Sequence, residues 1–248
     1  MKFIKFLPFI ILLVLFWLCD SNNNVQPRMQ IPGFNTKLIF RDDFDNNVLE
    51  NWEKEGIGNI TITSDGKAVL SLGEESKGLA LWALKEIDVD FQLEFNLKIP
   101  NHNGLFIIII CAQGINGGDV IDDLPERNGE LQEYSKGNIR SYHISSHCFT
   151  AEGEQIPGSK LRKNPGHLLL SKNAVDPCTS SRTYYIDVVK TGNRIRYYVD
   201  DMLIHDLRDK GGFGPIYSKG KIGFWIGGNP EDFQVILDNI HIFRLKAK

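Results

Sequence analysis

The chain has 248 residues and a net charge of −3, from 28 Lys and Arg against 31 Asp and Glu. Both signs are interspersed, which excludes the basic footprint of a nucleic-acid-binding domain. Beyond Cys19 the cysteines stand at 111, 148 and 178, too far apart for a structural zinc site, so no metal is assigned.

Lys2 and Lys5 precede an apolar run from Phe6 to Leu18, which ends at Cys19. A run of that length suits an export signal better than a membrane span. Residues 1–19 are therefore expected to be a signal peptide. Cys19 followed by a polar tether points to a lipoprotein signal, with Cys19 as the lipidation site, and to an exported periplasmic, outer-membrane or secreted protein. Residues 20–36, with Pro27, Pro32 and Gly33, are expected to form a linker. Residues 37–248 fit one all-β domain.

Within that domain two-residue alternation prevails over helical periodicity. Strands are expected at 37–44, 59–63, 68–72 and 79–84. Residues 91–98 alternate apolar and polar without a break, which predicts one face on a core and one in water. Leu105 to Cys111 is apolar throughout and predicts a strand covered on both faces. Residues 113–138, rich in Gly, Asp and Glu, read as a long loop able to close one end of a groove. Further strands are expected at 184–190, 195–199, 221–226 and 233–243, with hairpin turns at 190–194 and 199–202. About a dozen strands with short turns predict two packed antiparallel sheets. Cys148 and Cys178 are the pair to test for a disulfide, against the alternative that all the domain cysteines are small buried residues.

The stretch from Asn138 to Thr150 is a strand by length but a polar one. Its period of two puts Ser141, His143, Ser145 and His147 on one face and Arg140, Tyr142 and Ile144 on the other. That composition suits an open sheet face meeting a ligand; the alternative is a solvated edge strand. Lys160, Arg162 and Lys163 beside the Pro165–Gly166 turn, with His167 next, suit an anionic group, because a guanidinium matches a carboxylate as a planar fork. Glu133 and Tyr134 add a carboxylate and a phenol just before the polar strand.

These residues resemble a known family. Gly104-Leu105-Phe106, Ala112-Gln113-Gly114-Ile115, Glu133-Tyr134, His143, Leu161-Arg162-Lys163, Ala174-Val175-Asp176-Pro177 and Tyr217 to Phe224 are similar to the YesU-like bacterial proteins, a domain of unknown function. The resemblance implies a concanavalin A-like jelly roll from polysaccharide-utilisation clusters and a link to pectin-like or other uronate-containing glycans. The segment between His147 and Lys160 departs from the family, and His167 need not match a family histidine.

The chemistry itself is read from the residues. Glu130 and Glu133 lack the spacing of the paired carboxylates of a retaining glycosidase, and no Gly-x-Ser-x-Gly elbow occurs. β-Elimination at a uronic acid needs a cation at the carboxylate, a base for the C5 proton and an acid for the leaving oxygen. Arg162 or Lys163 suits the first role, His143 the second and Tyr134 the third. Tyr142 is adjacent to His143 and should face the other way. Glu133, Arg140, Tyr142, His147 and His167 are expected to bind substrate. The reading is a carbon–oxygen lyase on uronate-containing, including sulfated, oligo- or polysaccharides, acting as an oligosaccharide dehydratase or a polysaccharide lyase. The alternatives are a non-catalytic glycan-binding protein, with Trp52, Trp82, Trp225 and Tyr217 as stacking candidates, and a hydrolase of modified disaccharides. No cofactor is expected, although Asp42, Asp43, Asp45 and Asp238 raise a structural Ca²⁺ as an option.

Overall fold

The structure, a computed structural model, describes residues 25–248; the expected signal segment and Cys19 lie outside the described residues. Two antiparallel sheets pack face to face. Sheet A runs in the order β13 (Met202–Arg208), β12 (Arg194–Val199), β11 (Thr183–Thr191), β6 (Phe91–Lys98), β15 (Gln234–Ala247), β4 (Ala68–Leu72) and β3 (Gly58–Ile62). The edge of β15 is shared: β4 pairs with its first half and β1 (Phe34–Asp42) with its second, on either side of an irregularity between Asp238 and His241. Sheet B runs β10 (Leu168–Lys172), β9 (Lys160–Asn164), β8 (Ile139–Cys148), β7 (Gly104–Gly114), β14 (Lys221–Gly228), β5 (Leu79–Ala83) and β2 (Trp52–Gly56). This is the expected jelly roll of two antiparallel sheets.

The core lies between the sheets, because alternate residues of each strand point inward. Phe91, Leu93, Phe95 and Leu97 from sheet A meet Phe106, Ile108, Ile144, Leu161 and Phe224 from sheet B, all buried. Phe95 packs edge-on against Phe224 with ring centroids 5.0 Å apart. Burying such side chains stabilises the sandwich by about 1.5–3 kcal/mol each. The two predicted hairpins form as β11–β12 and β12–β13. In the second, Asp200 and Asp201 both take positive φ, as a two-residue turn between twisted strands requires. Cys111, Cys148 and Cys178 are buried free thiols, so the disulfide weighed above does not form.

Two expectations change. The first two even positions of β6 do not face water: Gln92 is fully buried and Glu94 nearly so, while Lys98 at the far end is exposed. Residues 27–33 cross the outer face of sheet A and cover Gln92 and Glu94. The Arg28 backbone N–H donates to Glu94 (2.9 Å), and the Gln92 amide donates to the Met29 carbonyl (3.0 Å). The Arg28 guanidinium pairs with buried Asp187, and Ile31 packs beside Val189 and Leu245. Residues 25–33, the described part of the expected linker ahead of β1, thus form a docked strap. The other change concerns the long loop, whose single helical turn, α1 (Leu131–Ser135), sits over sheet B.

Candidate functional site

β8 lies between β7 and β9, and its polar face is turned outward on sheet B. His143 pairs directly with Ile109 on one side and Arg162 on the other; the next outward row is Ile107, Ser145 and Lys160. Directly opposed residues hold their Cβ atoms about 4.5–5.5 Å apart, so imidazole and guanidinium share one patch. His143 is 2% exposed, and among the described residues neither ring nitrogen has a hydrogen-bond partner. Burial, with His167 and Arg162 adding to it, lowers its pKa to about 3, so the ring is neutral.

Elsewhere the outward face of sheet B is occupied by the protein itself. Residues 115–138 fold back across it. The Arg127 guanidinium reaches Glu55 on β2, with Nε donating at 2.9 Å, and also donates to the Val120 carbonyl (2.7 Å). The Trp82 indole donates to the same Glu55 (2.8 Å), and the Trp225 indole donates to the Gly129 carbonyl (2.9 Å). Tyr134 on α1 packs at a tilt near Trp82 with ring centroids 6.1 Å apart. Glycines allow the close approach. Gly56, Gly78 and Gly129 all have positive φ, and a Cβ on any of them would collide with the facing backbone. Gly223 leaves room for the Trp82 ring.

What stays open is a cavity of about 220 Å³ over β7, β8 and β9. His143 and Ser145 form its floor with Ile107. Arg162, Lys160 and His167 line one flank, and Leu131 of α1 and Ile156 close the sides. Among the described residues no carboxylate lines it. Arg162 Nη1 donates to the His167 carbonyl (2.9 Å), and Lys160 Nζ donates to the Pro157 and Gly158 carbonyls. Among the described residues neither cation has a carboxylate partner, which leaves both charges available to a ligand anion. The backbone N–H groups of Gly166 and His167 both donate to the Ser135 carbonyl, at 2.9 and 3.0 Å. This contact pins the β9–β10 turn to α1 and brings His167 to the cavity. Burial, then Arg162 and Lys136, lower the His167 pKa.

The structure brings together His143, Arg162 and His167 from the sequence candidates and separates the others. Lys163 faces inward: it is fully buried, and its Nζ donates to Asp209 (2.7 Å) and the Gly214 carbonyl (3.0 Å). Neighbouring strand residues point to opposite faces, so Arg162 and Lys163 cannot act on one anion. Tyr142 also faces inward and donates to Asp209 (2.7 Å). His147 leaves the row because an irregularity in the β7–β8 pairing inserts Ser146 and flips the alternation. Its Nδ1 meets the Cys178 carbonyl at 2.6 Å, among His102, Phe149 and Phe233.

Tyr134 is buried under the loop rather than at the cavity. Among the described residues its hydroxyl has no hydrogen-bond partner, and burial and then Glu55 push the phenol far above its usual range. Glu133 accepts from the Asn128 N–H (2.9 Å) in a separate depression. Arg140 donates to Gln113 and lies over the Tyr217 ring, away from His143. Trp52, Trp82, Trp225 and Tyr217 are all buried, so none offers a stacking platform. Lys160 and Ser145, read from the sequence as part of the cation cluster and the polar face, also line the cavity, and Leu131 and Ile156 join it without having been singled out.

The acidic depression at residues 38–51 is larger, about 480 Å³, but two of its carboxylates, Asp42 and Asp43, are engaged. Asp42 accepts from the Trp52 indole (2.8 Å) and the Phe44 N–H (2.9 Å), and Asp43 pairs with His241 (2.8 Å). Among the described residues no cluster of three His, Cys, Asp or Glu is disposed to hold a metal.

Comparison with known proteins agrees with the resemblance drawn from the motifs. The family model described as a domain of unknown function (DUF1961) matches residues 37–227. The uncharacterized protein YesU of Bacillus subtilis (strain 168) is 27% identical over 183 residues, spanning 71% of this chain and 82% of that protein. A Bacillus subtilis crystal structure described as a protein of unknown function with a galectin-like fold has a TM-score of 0.76 and 24% identity, covering 87% of this chain and all of the other. The κ-carrageenase of Pseudoalteromonas carrageenovora, solved with a κ-carrageenan oligotetrasaccharide, has a TM-score of 0.57 and 11% identity over 89% of this chain and 99% of its own. At these identities the structural likenesses establish the fold alone.

Proposed function

The chain belongs to the DUF1961 family, and on that footing we propose that it is a carbon–oxygen lyase acting by β-elimination on uronate-containing glycans. The carrying observation is the cavity itself: a buried, unpartnered, neutral imidazole directly opposite an unpaired guanidinium, with no carboxylate on the walls. Fold neighbours such as the carrageenase support a glycan partner, and the unpaired Arg162 and Lys160 support an acidic one.

Arg162 and Lys160 hold the uronate carboxylate and stabilise the charge that builds there as the C5 proton leaves. His143 takes that proton at a ring nitrogen. The electrons of the C5–H bond form the C4=C5 double bond, and the C4–O bond breaks. A substrate carboxylate beside Arg162 offsets the positive field on His143 and raises its basicity within the complex. The departing oxygen takes a proton through His167, since a neutral imidazole carries one N–H and one lone pair and can replace its proton from solvent. Tyr134, buried beneath the loop, has no part in the reaction, and neither does Lys163. A two-carboxylate hydrolysis finds no acid–nucleophile pair in this cavity. Whether the leaving oxygen is a hydroxyl or a second sugar separates dehydratase from polysaccharide lyase. The apolar run before Cys19 supports an extracytoplasmic setting for this activity.

A second reading, a non-catalytic glycan-binding protein, is favoured by the low basicity of His143 and the apolar walls of Leu105, Ile107, Leu131 and Ile156. One experiment separates the two. Uronate oligosaccharides mixed with the protein should generate the ultraviolet absorbance of the conjugated double bond, and His143→Gln should abolish it while binding persists. Binding without absorbance on any uronate substrate would leave the second reading standing.

A further inference from the structure

The concave face of a jelly roll is broad enough for an extended glycan, yet most of it is unavailable here. Over β14, β5 and β2 the outward positions Trp225, Trp82 and Glu55 are buried beneath Val120, Arg127 and Tyr134. The Arg127–Glu55 pair and the Trp225–Gly129 hydrogen bond fasten that cover to two different strands. Leu131 of the cover forms one side of the remaining cavity, and Ile156 from the loop after β8 forms another. The space left, about 220 Å³, falls below the roughly 300–1,000 Å³ typical of sites for drug-sized ligands. It is room for one sugar ring, not for a run of them.

We infer that the cavity receives a single terminal acidic sugar, so that the protein works at chain ends and does not engage the interior of a polysaccharide. The inference rests on reading this cavity as the glycan site and adds which part of the glycan enters. The blockage is made by the protein's own side chains, seated in a buried ion pair and passing over glycines that admit no side chain. A chain continuing from the cavity toward β14 would have to displace Tyr134 and Leu131. The donors on the flank, Arg162, Lys160 and the imidazoles, suit the carboxylate of that terminal ring.

The test titrates the unaltered protein calorimetrically with a uronate disaccharide, a hexasaccharide and a long polymer fraction of the same sugar, in separate galacturonate, glucuronate and mannuronate series. End recognition gives one protein per chain at every length. The affinity per chain then stays constant within about twofold, because added residues create no added sites. Several protein molecules on each polymer chain, with affinity rising with length, would overturn the inference and leave the acidic-glycan reading intact. Absence of binding in all three series would remove that reading and the inference with it.

Discussion

Replacing Arg127 by alanine tests whether the cover over sheet B is held by its buried ion pair. The guanidinium and the Glu55 carboxylate are 7% and 6% exposed. The substitution removes both hydrogen bonds to Glu55, the one to the Val120 carbonyl and the contact with the Tyr134 ring, whose centre is 5.5 Å away. It leaves Glu55 buried with the Trp82 indole as its remaining hydrogen-bond donor. Stranding one member of a buried pair costs about 3–5 kcal/mol. For a domain of this size each kcal/mol lowers Tm by about 2–4 °C, so Tm should fall by about 6–20 °C in calorimetry at neutral pH. Limited proteolysis should then cut between residues 115 and 138 before any other site. Burial already raises the Glu55 pKa, and losing Arg127 raises it further. A carboxyl raised in the folded state destabilises that state while ionised and ceases to do so once protonated. The deficit should therefore shrink as pH falls through the raised value. Adding Glu55→Gln should recover part of the loss, since the stranded charge is gone. A fall below about 2 °C with an unchanged cleavage pattern would show that something other than this pair holds the cover, since the stranding cost converts to a larger shift.

Arg162→Met should weaken binding of an acidic sugar by about 10–150-fold, the worth of a hydrogen bond to a charged group, with little change in Tm. Lys163→Met should do the reverse, because it strands Asp209 inside the sandwich: a loss of about 3–5 kcal/mol in urea unfolding, with affinity per folded molecule preserved. Equal effects on binding from the two would contradict their placement on opposite faces. His143 is held neutral, with its pKa lowered to about 3, against about 6.5 when unfolded. Its contribution to stability is present above pH 6.5 and lost as pH falls toward 3, at up to about 1.4 kcal/mol per pH unit. Urea melts at several pH values between those limits should show a shallower acid loss in His143→Gln than in the parent, and parallel profiles would refute the assigned burial.

Much of the site was readable because β-strands keep a simple period. Ser141, His143 and Ser145 emerge on one face as alternation requires, and the same rule applied to Arg162 and Lys163 separates them. His147 was not readable, since the extra residue that flips it depends on how β7 and β8 pair and carries no local signature. Tyr134 was misplaced for a related reason: its partners Trp82 and Glu55 lie far away in sequence. The glycines at 56, 78 and 129 are individually unremarkable, and only the fold shows that they meet. Gln92 and Glu94 read as solvated positions because the strap that covers them is rich in residues that ordinarily mark a linker.

That strap also lies on the far side of the sandwich from the cavity. Arg28 and Met29 are bonded to the outer side of sheet A, whereas the cavity opens on the outer side of sheet B. The two outer sides lie back to back across the full thickness of the core. The strap therefore does not border the mouth beside His143, which looks the opposite way. A ligand reaching that mouth leaves the strap's hydrogen bonds to Glu94 and Gln92 untouched.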